Sequence, residues 1–139
     1  MAVNDLPQVV VAILEGAVLG GGFGLACVSD IAICHTDAKF GMPETTLGIV
    51  PAQIAPFVVD RIGLTQARRL SLMAERFGGQ AALEMGLVHY IESSEEAINN
   101  RLTDVCNRVR QCAPGANAIT KRILLDVGTV PTNDLLDRA

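Results

Sequence analysis

The 139-residue sequence has no tryptophan, one tyrosine and four phenylalanines, so aromatic residues make up only 4% of it. Proteins that bind single-stranded nucleic acids stack bases on aromatic side chains, and most nucleic-acid-binding proteins carry a dense basic surface. This chain has neither feature, because its formal charge is −4 and its basic residues are scattered apart from Arg68–Arg69 and Lys121–Arg122. Composition therefore excludes nucleic-acid binding. With so few aromatics, we expect Val, Ile, Leu and Ala to fill the core.

The sequence is also poor in charge and has no cysteine pairs at metal-binding spacing. Charged residues account for 19% and apolar residues for 50%, with a mean hydropathy of +0.36, which is typical of a folded globular chain. The length suits one domain. The four cysteines, Cys27, Cys34, Cys106 and Cys112, show no C-x-x-C spacing, so we predict buried, reduced thiols and no metal site.

A membrane span is not predicted either. The first residues, MAVNDLPQ, lack the basic region of a signal peptide, and the apolar stretch after them is interrupted by Glu15 and by glycines that weaken a spanning helix. We expect a cytoplasmic protein.

The first third of the chain predicts a strand-helix-strand unit. The run QVVVAIL at 8–14 is typical of a buried parallel strand, and it leads into a glycine turn at 20–22. Small and apolar residues at 23–29 indicate a short buried helix, and the apolar run at 31–34 indicates a second strand.

The sequence pattern predicts mostly helices in the rest of the chain. Pro43 to Leu47 predicts a short helical turn that begins at Glu44, because proline suits a first helical position. Further helices are predicted at 64–73, 80–85, 94–112 and 118–125 and after Pro131, with one strand at 87–91. We predict an α/β fold with a core section over 1–91 and a helical C-terminal section over 92–139.

Three glycines at a strand-to-helix junction, Gly20, Gly21 and Gly22, remove every Cβ where a ligand carbonyl would approach unpaired backbone amides. The segment thus predicts an oxyanion hole, or simply close packing of helix on strand. Glu44 lies in a mostly apolar segment, FGMPETTLGIVP. It is either a partly desolvated acid or base or an ordinary acidic residue at a helix start.

Other polar residues have two readings each. Glu15 is a second candidate acid or a residue that satisfies backbone donors. Asp30 is assigned to capping or to a structural ion pair. Lys121 and Arg122 either meet a phosphate of a ligand or lie on a solvated helix face. His35 and His89 have no acidic partner evident from the sequence.

The succession GAVLGGGFGLACVSDIAI, KFGMPETTLGIVP, GLTQARRLSL and AALEMGLVH resembles the crotonase, or enoyl-CoA hydratase/isomerase, family from Pro7 to about Leu125. The resemblance implies a β-β-α spiral, an acyl-CoA thioester substrate and a homotrimer or hexamer. It implies no separate cofactor, because coenzyme A is part of the substrate. Compared with the family, we expect this sequence to lack the upstream part, which carries the other oxyanion amide and most contacts to the adenosine, and the last helices.

Carried over by residue, Gly21 matches the glycine whose amide forms half of the oxyanion hole, and Glu44 matches the second of two catalytic glutamates. Gly24 stands where the first glutamate is expected. Ala52 matches the position whose amide holds the catalytic water, but the usual glycine-rich continuation is replaced by PAQIAPFVVDR. Gly20, Gly22, Gly24 and Ala52 are therefore the predicted substrate-binding residues.

Within the family, GGGFGLACVSD and LGIVPAQIAPFVVDRIGLTQARRL resemble the isohexenylglutaconyl-CoA hydratases of acyclic terpene degradation. The implied activity is hydration of a branched, carboxylated enoyl-CoA. Alternatives are an isomerase or acyl-CoA hydrolase of the same family, or an inactive, truncated crotonase-like interaction module.

Overall fold

A computed structural model describes residues 2–138 and contains two small β-sheets surrounded by helices. The strands are β1 (Val11–Leu14), β2 (Ala17–Leu19), β3 (Ile31–His35), β4 (Lys39–Gly41), β5 (Phe77–Gly78) and β6 (Tyr90–Glu92). The first sheet is parallel, in the order β1-β3-β6, and the second has the order β2-β4-β5. In the second sheet, β2 and β4 are parallel whereas β4 and β5 are antiparallel.

Two consecutive segments each contribute one strand to each sheet. β1 pairs with β3 in the register Val11 to Ile31, and β2 pairs with β4 in the register Leu19 to Gly41. The chain thus repeats a strand-strand unit whose carboxyl ends lie at matching edges, which is where parallel sheets place their ligands. This confirms the predicted α/β fold.

The first strand is shorter and less buried than expected. The predicted run at 8–14 contributes only Val11–Leu14, and Ile13 is 36% exposed. The sequence pattern also missed β2 and β5, whose two or three residues are too short for a detectable period.

The helices are α1 (Gly21–Cys27), α2 (Ala55–Ile62), α3 (Leu64–Met73), α4 (Gly79–Glu84), α5 (Glu95–Arg110), α6 (Pro114–Asp126) and α7 (Thr132–Leu136), and 3₁₀ turns cover Ala2–Asp5 and Glu44–Leu47. Sequence chemistry accounts for the long ones. The Ser94 hydroxyl accepts the N–H of Ala97 at 3.1 Å and so caps α5. Pro114 begins α6, where its missing N–H costs nothing.

The core lies between the sheets and helices α1 to α4, and Val, Ile, Leu and Ala supply most of it. Its centre, however, is aromatic. Phe77 stacks on Phe40 with ring centroids 5.4 Å apart and meets Phe23 edge-on at 6.0 Å. The expectation of a purely aliphatic core was therefore wrong for the two fully buried phenylalanines, Phe23 and Phe40.

An ion pair fastens the helical C-terminal section to the strands. The Lys121 ammonium lies 2.8 Å from Asp30 Oδ2 and donates to the Gln8 carbonyl at 3.0 Å. The same Asp30 oxygen accepts the N–H of Val10 at 2.7 Å. The structural role of Asp30 is thus confirmed, and the prediction that Lys121 lies on a solvated helix face was wrong. The predicted division at residue 91 stays a prediction.

The cysteines do not all share one environment. Cys27 and Cys34 are buried, and burial raises the pKa of Cys27 to about 12 and that of Cys34 to about 11. Cys112 is exposed and Cys106 half-buried, so the prediction of four buried thiols was wrong for these two. Over residues 2–138, the structure has no helix with the length and hydropathy that crossing a membrane requires.

Both histidines accept backbone hydrogen bonds. His89 Nδ1 accepts the N–H of Ala32 at 3.0 Å, and His35 Nδ1 accepts the N–H of Asp37 at 3.0 Å. The Asp37 carboxylate lies 3.8 Å from the same Nδ1, which accepts a hydrogen bond and has no proton to donate, so the two side chains form no hydrogen bond.

Candidate active site

The parallel pairing of β2 with β4 brings the glycine run and Glu44 together. Both strands end at the same edge, where the Gly20 N–H donates to the Gly41 carbonyl at 3.2 Å. α1 begins directly after β2, and the 3₁₀ turn that contains Glu44 begins three residues after β4. Residues separated by more than twenty positions thereby form one small site.

Gly20 makes the close approach possible. Its backbone has φ 51° and ψ −116°, a conformation that side-chain-bearing residues avoid. A Cβ at this position would lie 3.2 Å from Glu44 Oε1, which is tighter than ordinary contact. The turn therefore requires a glycine, and a side chain here would also crowd the Glu44 carboxylate.

The first turn of α1 presents unpaired amides at this edge. Gly24 is the first residue of the helix whose N–H bonds inside it, to the Gly20 carbonyl at 3.0 Å. The N–H groups of Gly21 and Gly22 consequently have no acceptor within the helix, and both residues are exposed. Amides in this position can stabilise negative charge that develops on a carbonyl oxygen.

One oxygen of the Glu44 carboxylate, Oε2, is buried without a hydrogen-bond partner within residues 2–138. Buried polar atoms in proteins are nearly always paired, so an orphaned carboxylate oxygen next to free amides is typical of a functional site. An oxygen of this kind can accept a proton from a molecule that enters the site.

Helix α3 holds the turn on both sides of Pro43–Glu44. The Thr45 hydroxyl donates to the Ser71 carbonyl at 3.0 Å, and the Ser71 hydroxyl lies 3.6 Å from Met42 Sδ. The turn closes with Gly48 in the left-handed conformation at φ 71°. Sequence reasoning missed this tether, because the contact between Thr45 and Ser71 has no local pattern.

The other predicted site residues lie in different places. Gly24 is buried one helical turn above Gly20, so no side chain occupies the first glutamate's position. Ala52 is exposed in the turn before α2. Glu15 is exposed and borders the glycine run, because it lines a cavity of about 300 Å³ together with Gly22 and Leu25.

One residue near the site was not anticipated. The side chain of Arg76 lies across Gly41, and a Cβ on Gly41 would be 2.8 Å from Arg76 Cδ. The strand that places Arg76 there, β5, was itself missed. Among residues 2–138, no group of three or more His, Cys, Asp or Glu side chains is arranged to hold a metal ion.

Comparison with known proteins places this geometry in a family. Residues 1–127 match the family model described as enoyl-CoA hydratase/isomerase. The structure is similar to Pseudomonas aeruginosa AtuE, with a TM-score of 0.95 and 59% identity over 97% of this chain and 52% of that one. It is also similar to an enoyl-CoA hydratase/isomerase from Marinobacter aquaeolei, with a TM-score of 0.93 and 58% identity over 97% of this chain and 51% of that one.

Among curated proteins, the enoyl-CoA hydratase ACTT6 of Alternaria alternata is 36% identical over 120 residues, which are 86% of this chain and 40% of that protein. This chain thus spans about half or less of these relatives. On the family match and on the shared fold, the chain belongs to the enoyl-CoA hydratase/isomerase family.

Proposed function

We propose that this chain provides the Gly21 amide and the Glu44 carboxylate of a hydratase that adds water to a branched, carboxylated enoyl-CoA of the isohexenylglutaconyl-CoA type, as in acyclic terpene degradation. The observation that carries the proposal is the buried, unpartnered Oε2 of Glu44 beside Gly20. A carboxylate in this state is available to a reacting water molecule, since no other group competes for its proton-accepting oxygen.

The reaction can be written with one carboxylate. The Gly21 N–H donates to the thioester oxygen and stabilises the enolate that forms. Glu44 takes a proton from water as the water oxygen bonds to C3 of the enoyl group. The protonated Glu44 then gives that proton to C2, so one water is added and the carboxylate is regenerated.

The surroundings of Glu44 support a branched acyl group. Gly24 has no side chain at the position of the family's first glutamate, and Ala52 is also small. The segment after Glu44 exposes apolar side chains, with Leu47 70% and Val50 80% exposed. We propose that these contact the hydrocarbon branch and that the substrate's own distal carboxylate performs part of the work of the absent glutamate.

Assembly into a homotrimer or hexamer is part of the proposal. None of the thirteen residues of helix α6 is fully buried, and its apolar residues Leu124 and Leu125 are exposed. An apolar helix face of this kind is usually covered by another subunit. Sedimentation velocity on the purified chain tests this, and a monomer at all concentrations would refute it.

The single carboxylate also favours a second candidate. An isomerase needs only to remove a proton from one carbon and return it to another, which Glu44 can do alone. Product mass separates the two, because hydration adds one water whereas isomerisation adds none. An acyl-CoA hydrolase would release free coenzyme A thiol. A non-catalytic interaction module would convert no thioester at all.

The test is loss of the conjugated enoyl-thioester absorbance with a branched glutaconyl-CoA, combined with product mass. Glu44→Gln should lower turnover by about 10²-fold or more. Glu95→Gln, which changes an exposed carboxylate at the start of α5, should leave turnover unchanged. Equal turnover in wild type and Glu44→Gln would refute the assigned role of Glu44.

A further inference from the structure

The sheet β2-β4-β5 has a face turned away from the core, and the charged residues on that face are basic. Val18, Phe40 and Phe77 point into the core. Because side chains alternate along a strand, the neighbouring positions form the opposite face. That face carries Ala17, Leu19, Lys39, Gly41 and Gly78, with Arg76 opposite Gly41 just before β5.

Arg76 is held at the end of this face that borders the active site. A Cβ on Gly41 would lie 2.8 Å from Arg76 Cδ and 3.3 Å from Arg76 Nε, so the side chain lies flat on the glycine. The Gly41 carbonyl in turn accepts the Gly20 N–H at 3.2 Å. The guanidinium therefore lies next to the strand ends from which Gly21 and Glu44 follow.

The charge of Arg76 is not used within the described chain. Its sequence neighbour Glu75 forms an ion pair with Arg69 instead. Among residues 2–138, no carboxylate lies at ion-pair distance from Arg76, and Glu44 is no exception. The guanidinium therefore does not neutralise Glu44. Because Arg76 is exposed, its charge is available to an incoming anion.

We infer that Arg76 binds an anionic group of the thioester ligand, a specificity role that rests on the proposed function for the position of the thioester. A guanidinium pairs with a carboxylate or a phosphate through two parallel hydrogen bonds. Two parts of the ligand carry such a group: the distal end of a dicarboxylic acyl chain, and the phosphates of coenzyme A. The experiment distinguishes them.

The experiment measures dissociation constants by calorimetry for four saturated thioesters: butyryl-CoA, glutaryl-CoA, butyryl-pantetheine and glutaryl-pantetheine. Saturated thioesters cannot be hydrated, so the result does not depend on turnover. The pantetheine thioesters lack phosphate, and the butyryl group lacks a distal carboxylate. Wild type is compared with Arg76→Gln and with Arg68→Gln, which removes another exposed arginine, on α3.

If the carboxylate is the anion, Arg76→Gln weakens binding of both glutaryl thioesters about five- to tenfold and leaves the butyryl thioesters unchanged, as expected for a partly exposed charged hydrogen bond. If phosphate is the anion, both CoA thioesters weaken instead. Gly41→Ala should reproduce either pattern, because the new Cβ displaces Arg76 while keeping its charge.

Three results would overturn the inference: unchanged binding in Arg76→Gln, equal weakening by Arg68→Gln, or equal weakening for butyryl-pantetheine, which carries no anion. Absence of binding for all four thioesters would also overturn it. The expected binding pattern without any turnover of an enoyl-CoA would refute only the proposed hydratase activity. Urea unfolding of each variant verifies that it is folded.

Discussion

Replacing Gly20 by alanine should disturb the site through two effects that the structure separates. The first is backbone strain, because φ 51° and ψ −116° suit only glycine. Such strain costs on the order of 1–3 kcal/mol. The second is contact, because the new Cβ would lie 3.2 Å from Glu44 Oε1 and push the carboxylate aside by a few tenths of an ångström.

Gly86→Ala is the matched control. Gly86 also has a positive φ, 78°, but it lies outside the Glu44 turn and nothing lies within 4 Å of its Cβ position. It should lose about 1–2 kcal/mol from left-handed strain alone. With a urea m-value of about 2 kcal/mol/M, the unfolding midpoint should shift by about 0.5–1.5 M in Gly20→Ala and by about 0.5–1 M in the control.

Only Gly20→Ala should affect Glu44. We expect the ¹³C resonance of the Glu44 carboxyl, assigned by its loss in Glu44→Gln, to move in Gly20→Ala and to stay in place in Gly86→Ala. Any enoyl-CoA turnover should fall about tenfold or more in Gly20→Ala, because small misplacements of a catalytic group are costly. A carboxyl resonance that is the same in wild type and Gly20→Ala would refute the reasoning.

Three further predictions follow from other contacts. Thr45→Val should lose about 1 kcal/mol in urea unfolding and lower turnover by releasing the Glu44 turn from Ser71. Thr46→Val, whose hydroxyl bonds only within the turn, to the Pro43 carbonyl at 2.6 Å, should spare turnover, and equal losses in both variants would contradict the tether. Lys121→Met should lose about 1–2 kcal/mol in thermal unfolding, because Lys121 is only 12% exposed and pairs with Asp30. Arg122→Met, with a side chain that is 60% exposed, should lose less than about 0.5 kcal/mol, and the reverse order would contradict this assignment. Burial, and to a smaller extent the charge of Arg61, lowers the pKa of His89. Below pH 6.5 this histidine therefore binds a proton more readily in the unfolded chain than in the folded chain. The free energy of unfolding should therefore decrease as pH falls below 6.5, and a His89→Asn variant that keeps this slope in urea titrations would show that another group causes it.

Sequence patterns were sufficient where the signal is local. The amphipathic spacing and the Ser94 cap predict α5, and proline followed by glycine predicts the turn that begins at Glu44. The pairing of β2 with β4 has no such signal, because each strand is only three residues long. The contact between Gly20 and Glu44 depends on that pairing, so composition and periodicity do not predict it, and only the family resemblance joined the two residues.

The contacts that the sequence analysis missed or misjudged arise from long-range geometry. Asp30 and Lys121 are 91 positions apart, so no local sequence pattern predicts their ion pair. The prediction that Lys121 lies on a solvated helix face was wrong for this reason. Arg76 reaches Gly41 only because β5 reverses direction against β4. Likewise, the exposure of Cys112 depends on its location at the end of α5, not on its hydrophobicity.

The central position of β3 bears on how fast the chain folds. β3 pairs on one side with β1 and on the other with β6. The Ala32 N–H also donates to the ring of His89, which is 57 positions away in the sequence. Both ladders are parallel, so neither can start from a tight hairpin. The segment between β3 and β6 must close into a loop before β6 can pair with β3. Its conformational entropy is therefore lost before the strand pairing stabilises the chain. We therefore expect refolding to be slow for a protein of this length, with substitutions in β3 affecting the rate more than those in α5 or α6.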